Sequence, residues 1–163
     1  MAEMDINRFM TKKIKEGCVD ISVDHSVINF DELRKELYSQ LRSVDFVRLI
    51  GSGKEIMLIE ISDLHRKIKD MKKLYANCDE ETIEKIIKEF IKAEFREKLF
   101  ESLFLIQKEG IVDISPEKVV KFLIVTCNSN PLMFEYLRSF INTITPKNWA
   151  AFVLSAKGLE NRL

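Results

Sequence analysis

A chain of 163 residues is long enough for one core and too short for two comfortable domains. With 46% apolar and 32% charged residues, the body of the chain falls outside the composition of disordered segments. Lys plus Arg equals Asp plus Glu at 26 each, so no global field draws the protein to nucleic acid or membrane, and any such partner must be met by a local patch.

Taken in chain order, residues 5–16 carry Ile6, Phe9, Met10 and Ile14 on one stripe, the spacing of a short amphipathic helix that Gly17 would stop. Residues 18–30 are β-branched and turn-rich and are expected to be extended, with 1–30 peripheral or less ordered. Asn29 or Asp31 is placed to cap a helix over Asp31–Ser43, with Leu33, Leu37, Tyr38 and Leu41 inward. Phe46–Ile50 and Glu55–Ile61 flank Gly51-Ser52-Gly53-Lys54, the signature of a hairpin over about residues 46–61. A lone hairpin is marginal in water and needs helices to pack on.

Everything beyond residue 62 reads helical. Ser62 is the expected cap of a helix with Leu64, Ile68, Met71 and Leu74/Tyr75 inward. Glu80–Glu109 reads as the long helix, one-sided at first and apolar on most sides from Leu99 to Ile106. Gly110 suits its end, and Ser115-Pro116-Glu117 reads as the start of a helix carrying Val119, Val120, Leu123 and Ile124. Asn128–Pro131 would break it, with helices expected over Leu132–Ile141 and Lys147–Lys157 and a stop at Gly158. The expectation is a mainly α fold, a compact all-alpha helical bundle with one small β-hairpin, as a single domain over 1–163.

The chemistry is mostly a set of refusals. Gly51-Ser52-Gly53-Lys54 is not a phosphate-binding loop, because Arg48 stands at the first glycine position and Glu55 follows the lysine. His25, His65, Cys18, Cys78 and Cys127 show no pair at ligand spacing, so neither metal nor cofactor is expected. Glu84–Lys88, Glu94–Lys98 and Glu117–Lys121 have the i,i+4 spacing of solvated helix pairs, and no hydrolase or kinase motif is present. The expectation is a protein that is not an enzyme. Three scattered cysteines without a targeting segment read as free thiols in a reducing compartment. No apolar run approaches the ~20 residues that cross a bilayer, so a soluble cytoplasmic protein is expected.

The positive signal is the helix after the hairpin, where His65, Arg66, Lys69, Lys72 and Lys73 share much of the outward surface, and Arg66, Lys67, Lys69, Lys72 and Lys73 are expected to neutralise phosphates. Its bland alternative is a solvated face balanced by Asp79, Glu80 and Glu81. The phenylalanines at helical spacing (Phe90, Phe95, Phe100, Phe104, Phe122, Phe134, Phe140, Phe152) are core by default. Trp149, beside Lys147 and Asn148, is a candidate for stacking on a base or filling a partner's pocket.

At residues 83–123 the series Ile83…Ile87, Arg96-x-x-Leu99-x-x-x-Leu103-Phe104-Leu105, Gly110 and Ser115-x-Glu117-x-Val119 resembles the helical C-terminal domain of the large subunit of archaeal and eukaryotic primases. Over about a quarter of the chain the match is apolar spacing plus one glycine. That family's iron–sulfur cluster needs four cysteines, which this chain lacks, and the chain more nearly resembles the iron-free accessory primase subunit of some archaea. The helical subunits of the GINS replication complex are a competing resemblance. The primase resemblance implies a non-catalytic replication subunit in a complex with protein partners, contacting single-stranded or primer–template DNA, with Arg96 as the carried-over position. The alternative expectation is a protein–protein interaction module, docking through the hairpin edges and the C-terminal helices.

Overall fold

The computed structural model describes residues 4–115, 118–127, 137–138 and 149–163. Its strands are β1 (Met10–Glu16), β2 (Val19–Asn29), β3 (Phe46–Ile50), β4 (Glu55–Ser62), β5 (Val119–Thr126) and β6 (Ala150–Leu154). The helices among the described residues are α1 (Phe30–Leu37), α2 (Leu64–Leu74), α3 (Glu80–Lys108) and α4 (Ala156–Arg162), with a short 3-10 turn at Ile6–Phe9. Among the described residues six strands join one sheet in chain order. The fold is mixed α/β, and the expectation of a mainly helical bundle is overturned.

The expected hairpin is there, running from Phe46↔Ile59 to Ile50↔Glu55. Its turn takes positive φ at Gly51 (59°), Ser52 (59°) and Gly53 (86°), and a Cβ on Gly53 would lie 2.4 Å from Val112. The hairpin is the middle of the sheet rather than an isolated ribbon. β1 to β4 form an antiparallel meander. β4 then pairs parallel with β5, and β5 parallel with β6. A parallel neighbour requires a crossover of a dozen or more residues, and α2 with α3 supplies it.

Three segments expected to be helical hold strands, each for a physical reason. Residues 10–16 form β1, folded back on β2 by Gly17 in the left-handed region; of the supposed stripe, only Ile14 is fully buried. Residues 119–126 form β5, whose run Val-Val-Lys-Phe-Leu-Ile-Val-Thr is buried along nearly its whole length. A strand covered on both faces reads as a continuous apolar run and loses the alternation that betrays a half-buried one. The expected last helix is divided between β6 and α4, where Ser155 caps the backbone N–H of Gly158, so Gly158 lies inside the helix. The expected helix Leu132–Ile141 and the break at Asn128–Pro131 lie outside the described residues, except for Leu137 and Arg138, which are helical.

The remaining helices stand close to expectation. Asn29 caps α1 through the N–H of Glu32, although α1 ends at Leu37 instead of reaching Ser43. Ser62 closes β4, and its neighbour Asp63 caps α2. Asp79 caps the long helix α3.

Alternation along β4 sorts the core into two layers. Ile56 and Leu58 join Val47, Val120, Phe122 and Ile124 under α1, α2 and α3. Met57, Ile59 and Ile61 join Phe46, Leu123 and Val125 under β1, β2 and α4. Phe95 and Phe122 meet edge to face at 6.3 Å in the first layer. Phe90, Phe100 and Phe104 are about half exposed on α3 and are not core; Phe134 and Phe140 lie outside the described residues.

Cys18 and Cys127 are joined in a disulfide, Cα to Cα 5.4 Å, between the β1–β2 turn and the end of β5. The reading of three free thiols is corrected to one, the exposed Cys78. Among the described residues no helix is long and apolar enough to cross a membrane.

Candidate functional site: a carboxylate–lysine cluster at the end of the hairpin

The register Phe46↔Ile59 places Asp45 opposite Glu60, and by alternation both side chains share the face covered by α1 and α3. Like charges directly opposite across a ladder are destabilising, and here Glu60 is also shielded from water while Asp45 is only partly so. Glu60 is 1% exposed, sharing its face of β4 with Ile56 and Leu58.

Asp45 is held by backbone on every side. Its N–H donates to Ile59 and its carbonyl accepts from Phe30 and Asp31, the first amides of α1. Its Oδ2 accepts from the N–H of Ile61 at 2.8 Å. Glu60 has no such support: Oε1 accepts from Lys98 of α3, and the buried Oε2 has no partner among the described residues. Lys98 also lies 3.6 Å from Glu94, which takes Lys67 of α2 on the same oxygen at 2.5 Å. The buried hydroxyls of Ser43 and Ser62 are likewise without partners among the described residues. Three carboxylates thus face two ammonium groups.

Burial, then the charge of Asp45, pushes the Glu60 carboxyl up to about 8 against the opposing pull of Lys98. Burial raises Asp45 to about 6, although the Ile61 amide and Lys98 draw it down. Burial alone would lower Lys98, but Glu60, Glu94 and Asp45 hold its ammonium above the ordinary lysine value. Lys98 therefore keeps its proton, while the two carboxylates as a pair ionise less readily than exposed ones. Perturbed groups gathered in this way make the cluster a candidate functional site, and structural ion-pair networks shift acids in the same sense.

The cleft is open to solvent and holds about 330 Å³ between Asp31, Arg34, Leu41, Arg42, Ser43, Asp45, Glu94 and Lys98. Arg34 is tied to Asp31 at 2.5 Å and Arg42 to Glu97 at 3.4 Å. Among the described residues no three His, Cys, Asp or Glu come together as a self-sufficient metal cage.

Of the residues expected to meet phosphate, Arg66, Lys69, Lys72 and Lys73 are exposed together on α2, with Leu64, Ile68 and Met71 turned to the core. None of these four enters an ion pair among the described residues. Lys67 is different, half-buried and committed to Glu94. Arg96 is exposed on α3, and Trp149 is half-buried against the core ahead of β6. A second cleft of about 520 Å³, lined by Lys72, Cys78, Glu80 and Glu84 among others, runs between α2 and α3.

Asp45, Glu60, Glu94 and Lys98 were not expected to act together. Glu94–Lys98, read as a solvated pair, is on the inner side of α3 with Glu94 8% exposed. Glu117 is outside the described residues, and Lys121 pairs with Glu55 across β4 and β5 at 2.7 Å. One signal was present: Glu60 stands where the alternation of β4 demands an apolar residue.

No family model, curated protein or solved structure matches this chain.

Proposed function

We propose that this chain binds the sugar–phosphate backbone of a nucleic acid along the exposed face of α2, beside the carboxylate–lysine cluster. The observation that carries the reading is the set Arg66, Lys69, Lys72 and Lys73. These are four exposed cations on about three turns of helix, none ion-paired among the described residues, in a chain of zero net charge. Phosphate neutralisation supplies most sequence-independent affinity for nucleic acid. Lys67 links this face to the cluster, since its ammonium joins α2 to Glu94.

The helical architecture that the primase and GINS resemblances imply is not this fold, so the reading rests on the α2 face. An intracellular site of action goes with a nucleic-acid partner. The Cys18–Cys127 disulfide then fits an interior that retains protein disulfides, as in some hyperthermophiles.

The test is binding to single-stranded DNA, followed by fluorescence anisotropy across a salt series. Three or four contacts predict a log–log slope of roughly −2 to −3. Lys69→Glu/Lys72→Glu/Lys73→Glu should weaken binding and flatten that slope. Unchanged affinity in the variant, or no binding by the parent at low salt, would refute the reading.

A second reading has its own observation. Phe90, Phe100 and Phe104, each about half exposed, lie within one face of α3. That face suits a protein partner better than the hairpin edges, because β3 and β4 are both paired on two sides.

A further inference from the structure

We propose that the outward face of α3 is a self-association surface, on which a second copy of this chain docks its own α3 antiparallel, with the two-fold axis passing beside Ala93. The proposal rests on the reading of this face as a protein surface and names its occupant. It does not depend on the nucleic-acid reading.

The spacing along α3 defines the face. Ile87, Ile91, Phe95 and Leu99 fill the core side of the helix. On the opposite side Phe90, Ala93, Glu97, Phe100 and Phe104 follow one another at steps of three, four, three and four, and all five are exposed. Alternating steps of three and four keep one seam of a helix turned toward a second helix. Ile83 and Ile86, both half-buried, continue the seam one heptad before Phe90 and Ala93. The rings of Phe90, Phe100 and Phe104 are 47%, 46% and 53% exposed, although the single chain packs without them. Lone exposed apolar residues are ordinary, but a row of aromatics on one helix face marks an interaction surface.

The charges flanking the seam say what occupies it. The acids Glu80 and Glu89 lie in the first half of α3, and the bases Arg96 and Lys108 in the second. Glu89 reaches only Lys92, at 4.0 Å, and Glu80 and Arg96 enter no ion pair among the described residues. The Lys108 ammonium rests over the rings of Tyr38 and Phe104, at 5.0 and 5.7 Å, with no carboxylate among its contacts. In an antiparallel pair, residues equally far on either side of the axis come level. An axis beside Ala93 brings Glu89 level with Arg96 of the second copy, and Glu80 with its Lys108, to within two residues. The same axis sets Ile86 against Phe100 and Ile83 against Phe104. Ala93 meets its own copy, and its small side chain lets the helices approach where they cross.

Other arrangements lose this fit. A parallel pair in register sets each residue beside its own copy, so Glu89 faces Glu89, Arg96 faces Arg96, and Glu97 faces Glu97 within the seam. Like charges so placed oppose docking. In the antiparallel pair Glu97 is off the axis and is already met by Arg42 of its own chain, at 3.4 Å. Zero net charge lets two copies approach without long-range repulsion.

The test uses the full chain without DNA. Sedimentation equilibrium from micromolar to millimolar protein should show a monomer–dimer equilibrium that stops at the dimer. Phe100→Glu/Phe104→Glu, shown to be folded by circular dichroism, should weaken association at least tenfold. Glu89→Arg and Arg96→Glu should each weaken it severalfold, and the double variant should restore it. Residues 89 and 96 stand about 10 Å apart along one helix, so that restoration arises only between copies. With Cys78→Ser in place, Ala93→Cys should cross-link on mild oxidation. Phe104→Cys should not, because an antiparallel pair holds the two copies of residue 104 about 33 Å apart. A dimer indifferent to the phenylalanine reversal overturns the face. Cross-linking through residue 104 and not through residue 93 overturns the antiparallel arrangement. A parent that stays monomeric overturns the proposal outright. If that monomer captures a different protein through the same phenylalanines, the face survives as a protein surface and only the second copy is excluded; if it captures none, the underlying reading falls as well.

Discussion

Replacing Glu60 by Gln removes the most perturbed acid of the cluster, and the consequence can be worked through in sign and size. Burial raises this carboxyl from 4.5 to about 8. A group raised on folding contributes stability that is complete below its unfolded value and is lost as pH climbs through its folded value. At about 1.36 kcal/mol for each pH unit, the window from 4.5 to 8 bounds the loss at roughly 5 kcal/mol. Asp45, raised from 3.8 to about 6, acts with the same sign over a lower window and shares part of that total, because the two carboxylates are coupled. Urea unfolding at unit steps from pH 5 to pH 9 should show the parent losing up to about 1.4 kcal/mol per pH unit between pH 6 and pH 8, more steeply below pH 6 where Asp45 adds its own loss, and levelling beyond pH 8. In Glu60→Gln the fall should be confined to pH below 6, where Asp45 alone titrates. A parent whose stability is flat between pH 6 and pH 8, or a variant that keeps the parent's slope there, would refute the burial argument.

Two further predictions concern the frame around the cluster. Phe95→Ala deletes a fully buried ring that packs edge-on against Phe122 and should cost about 3–5 kcal/mol in urea unfolding. Breaking the Cys18–Cys127 bridge by reductant or Cys127→Ser opens a loop with a sequence separation of 109 residues. Chain entropy sets the stabilisation of such a loop near 4.7 kcal/mol, so thermal melts with and without reductant should separate clearly, and coincident melts would place those cysteines apart in solution.

What the sequence made legible follows from where each signal is local. The hairpin was readable because Gly51-Ser52-Gly53 needs positive φ and both flanking runs are β-prone. The start of α1 and both ends of α3 were readable because Asn29, Asp79 and Gly110 act within one turn of themselves, whereas α1 stops at Leu37 and not at Ser43. β5 was misread because its burial is two-sided, which erases the period of two; five of its eight residues are nonetheless β-branched, a weaker cue that favours a strand. β1 was misread because seven residues with one buried side chain cannot distinguish a period of 2 from one of 3.6. The basic face of α2 was legible as a surface, since helical spacing alone places Arg66, Lys69, Lys72 and Lys73. The cluster was not, because it joins residues 45, 60, 67, 94 and 98 through strand register and helix packing, neither of which any local window contains. Only Glu60, a carboxylate at a core position, announced itself.

The two acids of the cluster differ in what the fold asks of them. Asp45 serves the architecture, since its carbonyl receives the first amides of α1 and its side chain receives Ile61. Among the described residues Glu60 bonds only Lys98, and that pair is buried with one carboxylate oxygen unsatisfied. Breaking a buried pair by removing one partner is severe, about 3–5 kcal/mol, whereas replacing both by apolar groups of similar volume is often stabilising by about 1–4 kcal/mol. Lys98→Met alone should therefore unfold more easily than the parent at pH 8, and Glu60→Met/Lys98→Met should unfold less easily, with Glu94 still satisfied by Lys67. Equilibrium unfolding of the parent, both single variants and the double variant closes the cycle. A double variant less stable than the parent would mean that the pair supports the fold and would remove the physical ground for reading it as a site. A more stable one leaves Glu60 and Lys98 as residues whose presence the packing cannot account for.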